Sequence, residues 1–206
     1  MTTTAPVTPK QNTNMRKIIL ASASERRADI MKLSGIAFDV KPSNYEEDLT
    51  LKLPPKKLAE KLALGKALAV SATQRDAVVI GADTFVLLGR TIMGKPGTVE
   101  RAKEMLKALS GKKHTVLTGF ALVDTKSGRR KSGVEETTVW FKKLSPREID
   151  TYVREGKPSP LGLAGAYAIQ AQAAKFVTKI EGDYFNIVGL PISRIASELQ
   201  AFGVLP

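Results

Sequence analysis

Cysteine is absent from all 206 residues, which excludes disulfides, thiolate nucleophiles and cysteine-ligated zinc or iron–sulfur centres. Histidine occurs once, as His114. One imidazole without a thiolate cannot build a catalytic triad or a histidine-based metal centre, so His114 reads as structural. No stretch approaches the ~18 consecutive apolar residues of a membrane span. Neither the G-x-x-x-x-G-K-S/T phosphate loop nor a G-x-G-x-x-G turn after a strand is present, so P-loop enzymes, kinases and dinucleotide oxidoreductases lose their best evidence. Aromatics are sparse, with seven Phe, four Tyr and one Trp. The basic residues behind the net charge of +12 are scattered as Lys56-Lys57, Lys112-Lys113, Arg129-Arg130-Lys131 and Lys142-Lys143. Such a charge would suit a polyanion, but spread out and without interleaved aromatics it reads as a solvated surface, against a specific nucleic-acid partner.

What is present suffices for a folded core. Hydrophobic residues make up 43% of the chain, enough for one domain, with two lobes at most. Residues 1 to 15, rich in Thr, Pro, Asn and Gln, lack the apolar segment of a secretory signal and read as a disordered extension; residues 16 to 206 form the domain. A reducing cytoplasm fits the missing cysteines.

Strands and helices alternate along the domain. Ile18 to Ala21 reads as a strand, followed by a helix from Glu25 to Leu33 capped by Ser24 and stopped at Gly35. Ala37 to Val40 is strand-like. From Pro55 to Ala72, Leu58, Leu62, Leu64, Leu68 and Ala69 recur among lysines, the pattern of an amphipathic surface helix. Ala77 to Ala82 is a buried strand, which Phe85 to Leu88 either extends or turns into a hairpin. Thr98 caps a helix ending at Leu109. Val116 to Val123 and Val134 to Phe141 read as paired strands, with Trp140 in the core. Ser145-Pro146-Arg147-Glu148 is a capping box with proline at the first helical position. A strand from Lys175 to Ile180, a turn at Gly182-Asp183 and a helix from Ser193 to Phe202 complete an α/β protein with a largely mixed sheet.

Asp83 is the most informative residue. It closes the uncharged run from Ala77 to Ala82, and a carboxylate at the tip of a buried strand needs a partner that offsets its desolvation, such as a metal ion or a reacting group. Arg26-Arg27 stands in the first turn of a helix, where the macrodipole disfavours positive charge. This pair is either an ordinary charged face or an anion site completed by free backbone N–H groups and the Ser22 and Ser24 hydroxyls. Lys95, fixed between Gly94 and Pro96, is a solvated loop lysine or a directed point charge. Glu46-Glu47-Asp48 alone reads as a solvated loop, yet a metal site wants a second carboxylate beside Asp83. Together these residues suggest a phosphate-ester site with a divalent cation.

Six segments in order, LASASERR (20–27), IGADT (80–84), GKP (94–96), LSG (109–111), AGAYAIQ (164–170) and EGDYFNIVGLP (181–191), resemble the Maf family of nucleoside triphosphate pyrophosphatases. The resemblance spans residues 18 to 199. It implies a fold similar to the inosine triphosphate pyrophosphatases, a long curved mixed sheet flanked by helices with two lobes about a central cleft. It also implies hydrolysis to nucleoside monophosphate and pyrophosphate, with Mg or Mn as cofactor. By this resemblance Asp83 is the general base and a metal ligand with Glu47, Lys95 joins the catalytic group, and Ser22, Arg26 and Arg27 bind phosphate. A cytoplasmic homodimer is implied as well.

The family divides into a branch acting on dTTP and UTP and a branch acting on 7-methyl-GTP, with Arg, Thr and Gln against Trp, Gln and Glu at three positions. Here these are Arg26, Thr84 and Gln170, so the resemblance implies pyrimidine nucleotides, with CTP and modified pyrimidines as further candidates. Two departures stand out: Glu25 replaces a usual proline, and Ser159-Pro160-Leu161-Gly162-Leu163 replaces a shorter lead-in to the AGAY segment. The alternatives are a 7-methyl-GTP pyrophosphatase and a non-catalytic nucleotide- or nucleic-acid-binding regulator of division, which would bind without turnover.

Overall fold

The computed structural model describes residues 16–205; the extension expected over residues 1 to 15 lies outside the described residues. A seven-stranded mixed sheet runs β2-β1-β3-β5-β6-β7, with β4 also paired to β3. The strands are β1 (Lys17–Leu20), β2 (Asp39–Val40), β3 (Ala77–Leu88), β4 (Thr91–Met93), β5 (Lys113–Asp124), β6 (Arg130–Phe141) and β7 (Val177–Glu181). Helices α1 (Glu25–Leu33), α2 (Pro55–Ser71), α3 (Val99–Leu109), α4 (Pro146–Glu155), α5 (Tyr184–Val188) and α6 (Ile192–Ala201) pack around it. Parallel pairing of β1 with β3 and antiparallel pairing of β3, β5 and β6 make the sheet mixed, as the sequence predicts. Among the described residues no helix is long and apolar enough to cross a membrane.

Alternation along β3 and β5 sends side chains to two faces. Val78, Ile80, Phe120 and Leu122 pack with α1 and α6 on one face, through Ile30, Met31, Ile195 and Leu199. On the other, Val79, Ala121 and Val123 meet Ala63, Ala67 and Val70 of α2. A third cluster joins α3 and α4 to the far end of the sheet through Leu106, Leu109, Val139, Ile149 and Phe176.

Two glycines set how closely α2 approaches. A Cβ on Gly81 would lie 2.2 Å from the Ala63 carbonyl oxygen, and one on Gly119 would lie 2.0 Å from that of Ala59. The helix backbone therefore rests on the strands, and its buried face is Leu58, Ala59, Leu62, Ala63, Lys66, Ala67 and Val70. This corrects the sequence reading: Leu64, Leu68 and Ala69 are only half-buried, and a lysine lies in the buried stripe. Large side chains cannot fit where two backbones touch, so alanine takes the contact.

Other boundaries shift for physical reasons. β3 continues to Leu88 and turns through Gly89 into β4, so Asp83 lies in mid-strand rather than at its tip. Ser24 occupies the N-cap position of α1 but makes no side-chain cap bond, whereas Thr98 and Ser145 do cap, the latter with both bonds of its box. The strand expected from Ala37 reduces to β2, and that expected from Lys175 starts at Val177 after a 3-10 turn. Trp140 is half-buried beneath Lys179, 4.8 Å from its ring centre, while its neighbours Val139 and Phe141 enter the core. The short helix α5 escapes the periodicity signal because five residues span little more than one turn.

His114 is structural, as expected: its ring is buried, with Nε2 2.9 Å from the Tyr167 hydroxyl. Burial lowers its pKa from 6.5 to about 4. The unfolded chain accepts a proton that the folded one refuses, so this contribution is complete above pH 6.5 and is lost as pH falls through 4. Unfolding free energy should drop by about 3 kcal/mol across that window from this group. Urea titrations of His114→Gln at several pH values should show a flatter profile. A second expected outcome concerns the helix contact: Gly119→Ala should cost about 1–3 kcal/mol by overpacking, measured as a lower urea midpoint.

Candidate active site

The cleft arises from a change of neighbours along β3. β1 pairs with β3 only as far as Ile80, and β4 takes up the same edge only from Val86. Over residues 81–85 that edge has no strand beside it, while β5 pairs continuously on the other side. β1 also ends here, releasing the chain into α1. An opening where neighbouring strands diverge is the usual ligand position in an open α/β sheet. Asp83 points to the α2 face and Thr84 to the opposite face, yet both line the cleft because it wraps around the open edge.

The cleft has a volume of about 710 Å³, and Ser22, Arg26, Arg27, Glu47, Asp83, Thr84, Lys95 and Gln170 all line it. These candidates are thus brought to one place, whereas Glu46 and Asp48 of the acidic run do not line the cleft. Gln170 is exposed, in a turn after Ile169, and Lys95 is exposed in its loop. Backbone bonds tie the Lys95 loop to the 159–163 lead-in and to the AGAY segment after it: Gly97 N–H donates to the Leu161 carbonyl at 3.2 Å, and Gly165 N–H to the Gly94 carbonyl at 3.1 Å.

Lys66 is the residue that sequence reasoning missed. It is 6% exposed, and its Nζ lies 2.5 Å from Asp83 Oδ1 and 2.6 Å from Glu47 Oε1. The buried Asp83 carboxylate therefore obtains its compensating charge from a lysine of the protein itself. A signal was available, since Lys66 follows Leu58 and Leu62 at four-residue intervals on the helix face. Burial pushes the Glu47 pKa up, but the Lys66 hydrogen bond and the Lys66, Lys95 and Arg27 charges outweigh it and hold the carboxyl below its ordinary value.

The two arginines have different surroundings. Arg27 is buried and donates to the Gly189 carbonyl (2.8 Å), Ser22 Oγ (3.2 Å) and Thr84 Oγ1 (3.0 Å). Burial lowers its pKa, with Asp83 opposing. Acceptors of the protein thus resolve its conflict with the helix start. Arg26 makes no hydrogen bond or ion pair with a described residue, and burial lowers its pKa. Its guanidinium is the one without a described partner, beside N–H groups of the first helical turn that no side chain caps.

Among the described residues no three Asp, Glu or His side chains form a ready-made metal cage. Asp83 and Glu47 nevertheless fit a magnesium-type ion, which commonly takes one or two carboxylates and completes its shell with water and substrate phosphate. Each uses one oxygen on Lys66, and the other accepts no hydrogen bond from a described residue.

The family model described as Maf-like protein matches residues 17–202. A dTTP/UTP pyrophosphatase of Pelotomaculum thermopropionicum is 44% identical over 189 residues, covering 92% of this chain and 98% of its own. One of Methanosarcina barkeri is 46% identical over 191 residues, covering 92% and 96%. The solved structure of the Staphylococcus aureus Ham1 protein matches with a TM-score of 0.52 at 10% identity, over 90% of this chain and 99% of that one, which shows a shared fold.

Removing Lys66 should leave two carboxylates facing each other without the ammonium that bridges them. Lys66→Met is expected to lower stability by about 1–3 kcal/mol, below the range for fully buried pairs because the cleft admits water. Lys66→Met combined with Asp83→Asn should recover part of that loss. A double-mutant cycle by urea denaturation measures the coupling.

Proposed function

The chain belongs to the Maf-like family, and from that premise we propose that it is a nucleoside triphosphate pyrophosphatase acting on dTTP and UTP. The observation that carries this reading is the convergence around one cleft of Asp83, Glu47 and Lys66 with Arg26 and Lys95, two cations that form no ion pair with a described residue. Two carboxylates beside several cations suit a polyanion whose reacting phosphorus must be approached by water.

In the proposed reaction, Lys66 holds Asp83 by Oδ1, and Asp83 Oδ2 takes a proton from the water that attacks the α-phosphorus. The bond from that phosphorus to the bridging oxygen breaks, and pyrophosphate leaves with the electron pair. Arg26, Lys95 and the Ser22 hydroxyl bind the charged oxygens. A divalent cation such as Mg²⁺ or Mn²⁺, held by Asp83 and Glu47 with substrate phosphate, would supply charge neutralisation and water activation. Gln170 offers both a donor and an acceptor at the rim for the base. CTP and modified pyrimidine nucleotides are further candidate substrates. Family membership also supports a homodimer, and the cysteine-free composition suits the cytoplasm.

A panel of dTTP, UTP, CTP and 7-methyl-GTP with Mg²⁺ or Mn²⁺, read by pyrophosphate release, tests the proposal. dTTP and UTP should be the best substrates, with EDTA abolishing turnover. Faster hydrolysis of 7-methyl-GTP would overturn the base assignment, and release of orthophosphate in place of pyrophosphate would overturn the reaction. Asp83→Asn should stay folded by circular dichroism and lose about 10²- to 10⁴-fold in kcat.

A further inference from the structure

Thr84 and Thr118 face each other across β3 and β5, their hydroxyl oxygens 3.0 Å apart. Thr118 donates its one proton to the Asn186 carbonyl at 2.9 Å, so the proton between the two threonines belongs to Thr84. The other acceptor within its reach is the Gly189 carbonyl, at 3.5 Å. Either way the Thr84 proton is spent on the protein. Arg27 Nη2 occupies one lone pair of Thr84 Oγ1, and a hydroxyl has only two. What Thr84 keeps for the cleft is a single lone pair.

The relay is anchored away from the cleft. Thr118 and Asn186 are both fully buried. Asn186 Nδ2 donates to the Val116 carbonyl at 3.1 Å and to Thr137 Oγ1 at 2.9 Å. Thr137 spends its own proton on the Asp183 carbonyl at 2.9 Å. The Thr118 and Thr137 hydroxyls therefore each have one direction, and the carbonyl that takes the Thr118 proton is pinned in place.

We propose that Thr118 and Asn186 are positioning residues for base specificity, which lock Thr84 as an acceptor that recognises the imide N3–H of uracil and thymine. This rests on the pyrophosphatase reading above. Ionised phosphate oxygens have no proton to give. The 2′-hydroxyl is absent from dTTP, so it cannot be the donor that dTTP and UTP share. Cytosine presents a lone pair at N3, which would meet the Thr84 lone pair, and a site built for one hydrogen-bonding edge rejects its complement.

The experiment compares UTP, CTP, N3-methyl-UTP and 3′-deoxy-UTP with wild-type protein, Thr118→Val and Thr118→Ser. Wild type should favour UTP over CTP and over N3-methyl-UTP by at least about tenfold in kcat/KM, the size of one hydrogen bond. Thr118→Val leaves the Thr84 proton only the long bond to the Gly189 carbonyl at 3.5 Å, from which the hydroxyl can turn to donate into the cleft, and should cut the UTP-to-CTP ratio by about tenfold, while Thr118→Ser keeps it. An unchanged ratio in folded Thr118→Val overturns the proposal. So does N3-methyl-UTP turned over as well as UTP, or a loss confined to 3′-deoxy-UTP, which would place the sugar hydroxyl at Thr84. If Thr118→Val does not fold, the wild-type comparison of UTP with N3-methyl-UTP decides. Calorimetric affinities for UMP, CMP and N3-methyl-UMP separate this inference from the reaction. Preferential UMP binding without pyrophosphate release sinks the hydrolase reading and sustains the relay; turnover without base preference does the reverse.

Discussion

The contact of α2 with the sheet at Gly81 and Gly119 is the constraint on which the site depends. Without side chains at these two positions the helix backbone rests on β3 and β5. That approach brings Lys66 from the helix and Asp83 from the strand within 2.5 Å of each other in a buried layer. A helix held off by even one methyl group would move the lysine relative to the carboxylate. Glu47, from the segment before the helix, then closes on the same ammonium at 2.6 Å. Packing and site chemistry are one arrangement here.

Around that pair the molecule separates charges satisfied by the protein from charges without a partner among the described residues. Arg27 is satisfied by a carbonyl and two hydroxyls, so it fastens α1, β3 and the end of α5 together while keeping its charge beneath the cleft. Arg26, one residue away, and Lys95 across the opening have no such partners among the described residues. A buried cation without acceptors is costly, so the division reflects where each side chain lands on the helix and not a difference in residue type. The open edge of β3 places both groups around one opening.

The hydrogen-bond directions on the opposite face add a second layer of order. Thr84 has one proton and two lone pairs, and three neighbours of the protein compete for them. The EGDYFNIVGLP segment contributes through its backbone and through Asn186, deep in the fold, instead of through a charged group in the cleft. Its place in the site is invisible in composition because a carbonyl oxygen belongs to every residue.

The sequence by itself determined the α/β class, the order of the main helices and strands, the capping box at Ser145 and a set of candidate residues that the fold gathers into one cleft. These follow from local patterning, from the absence of histidine and cysteine chemistry, and from segments whose order resembles a known family. Tertiary structure decided the rest. It placed Asp83 in mid-strand, buried Lys66 among alanines, separated Arg26 from Arg27, and brought Trp140 out beneath a lysine. Each outcome depends on which surface lies opposite a residue, and residues 66 and 83, or 84 and 118, become neighbours only once the sheet has formed. Periodicity along the chain marks which face of an element is buried; the partner across that face is fixed by the packing of segments far apart in the sequence.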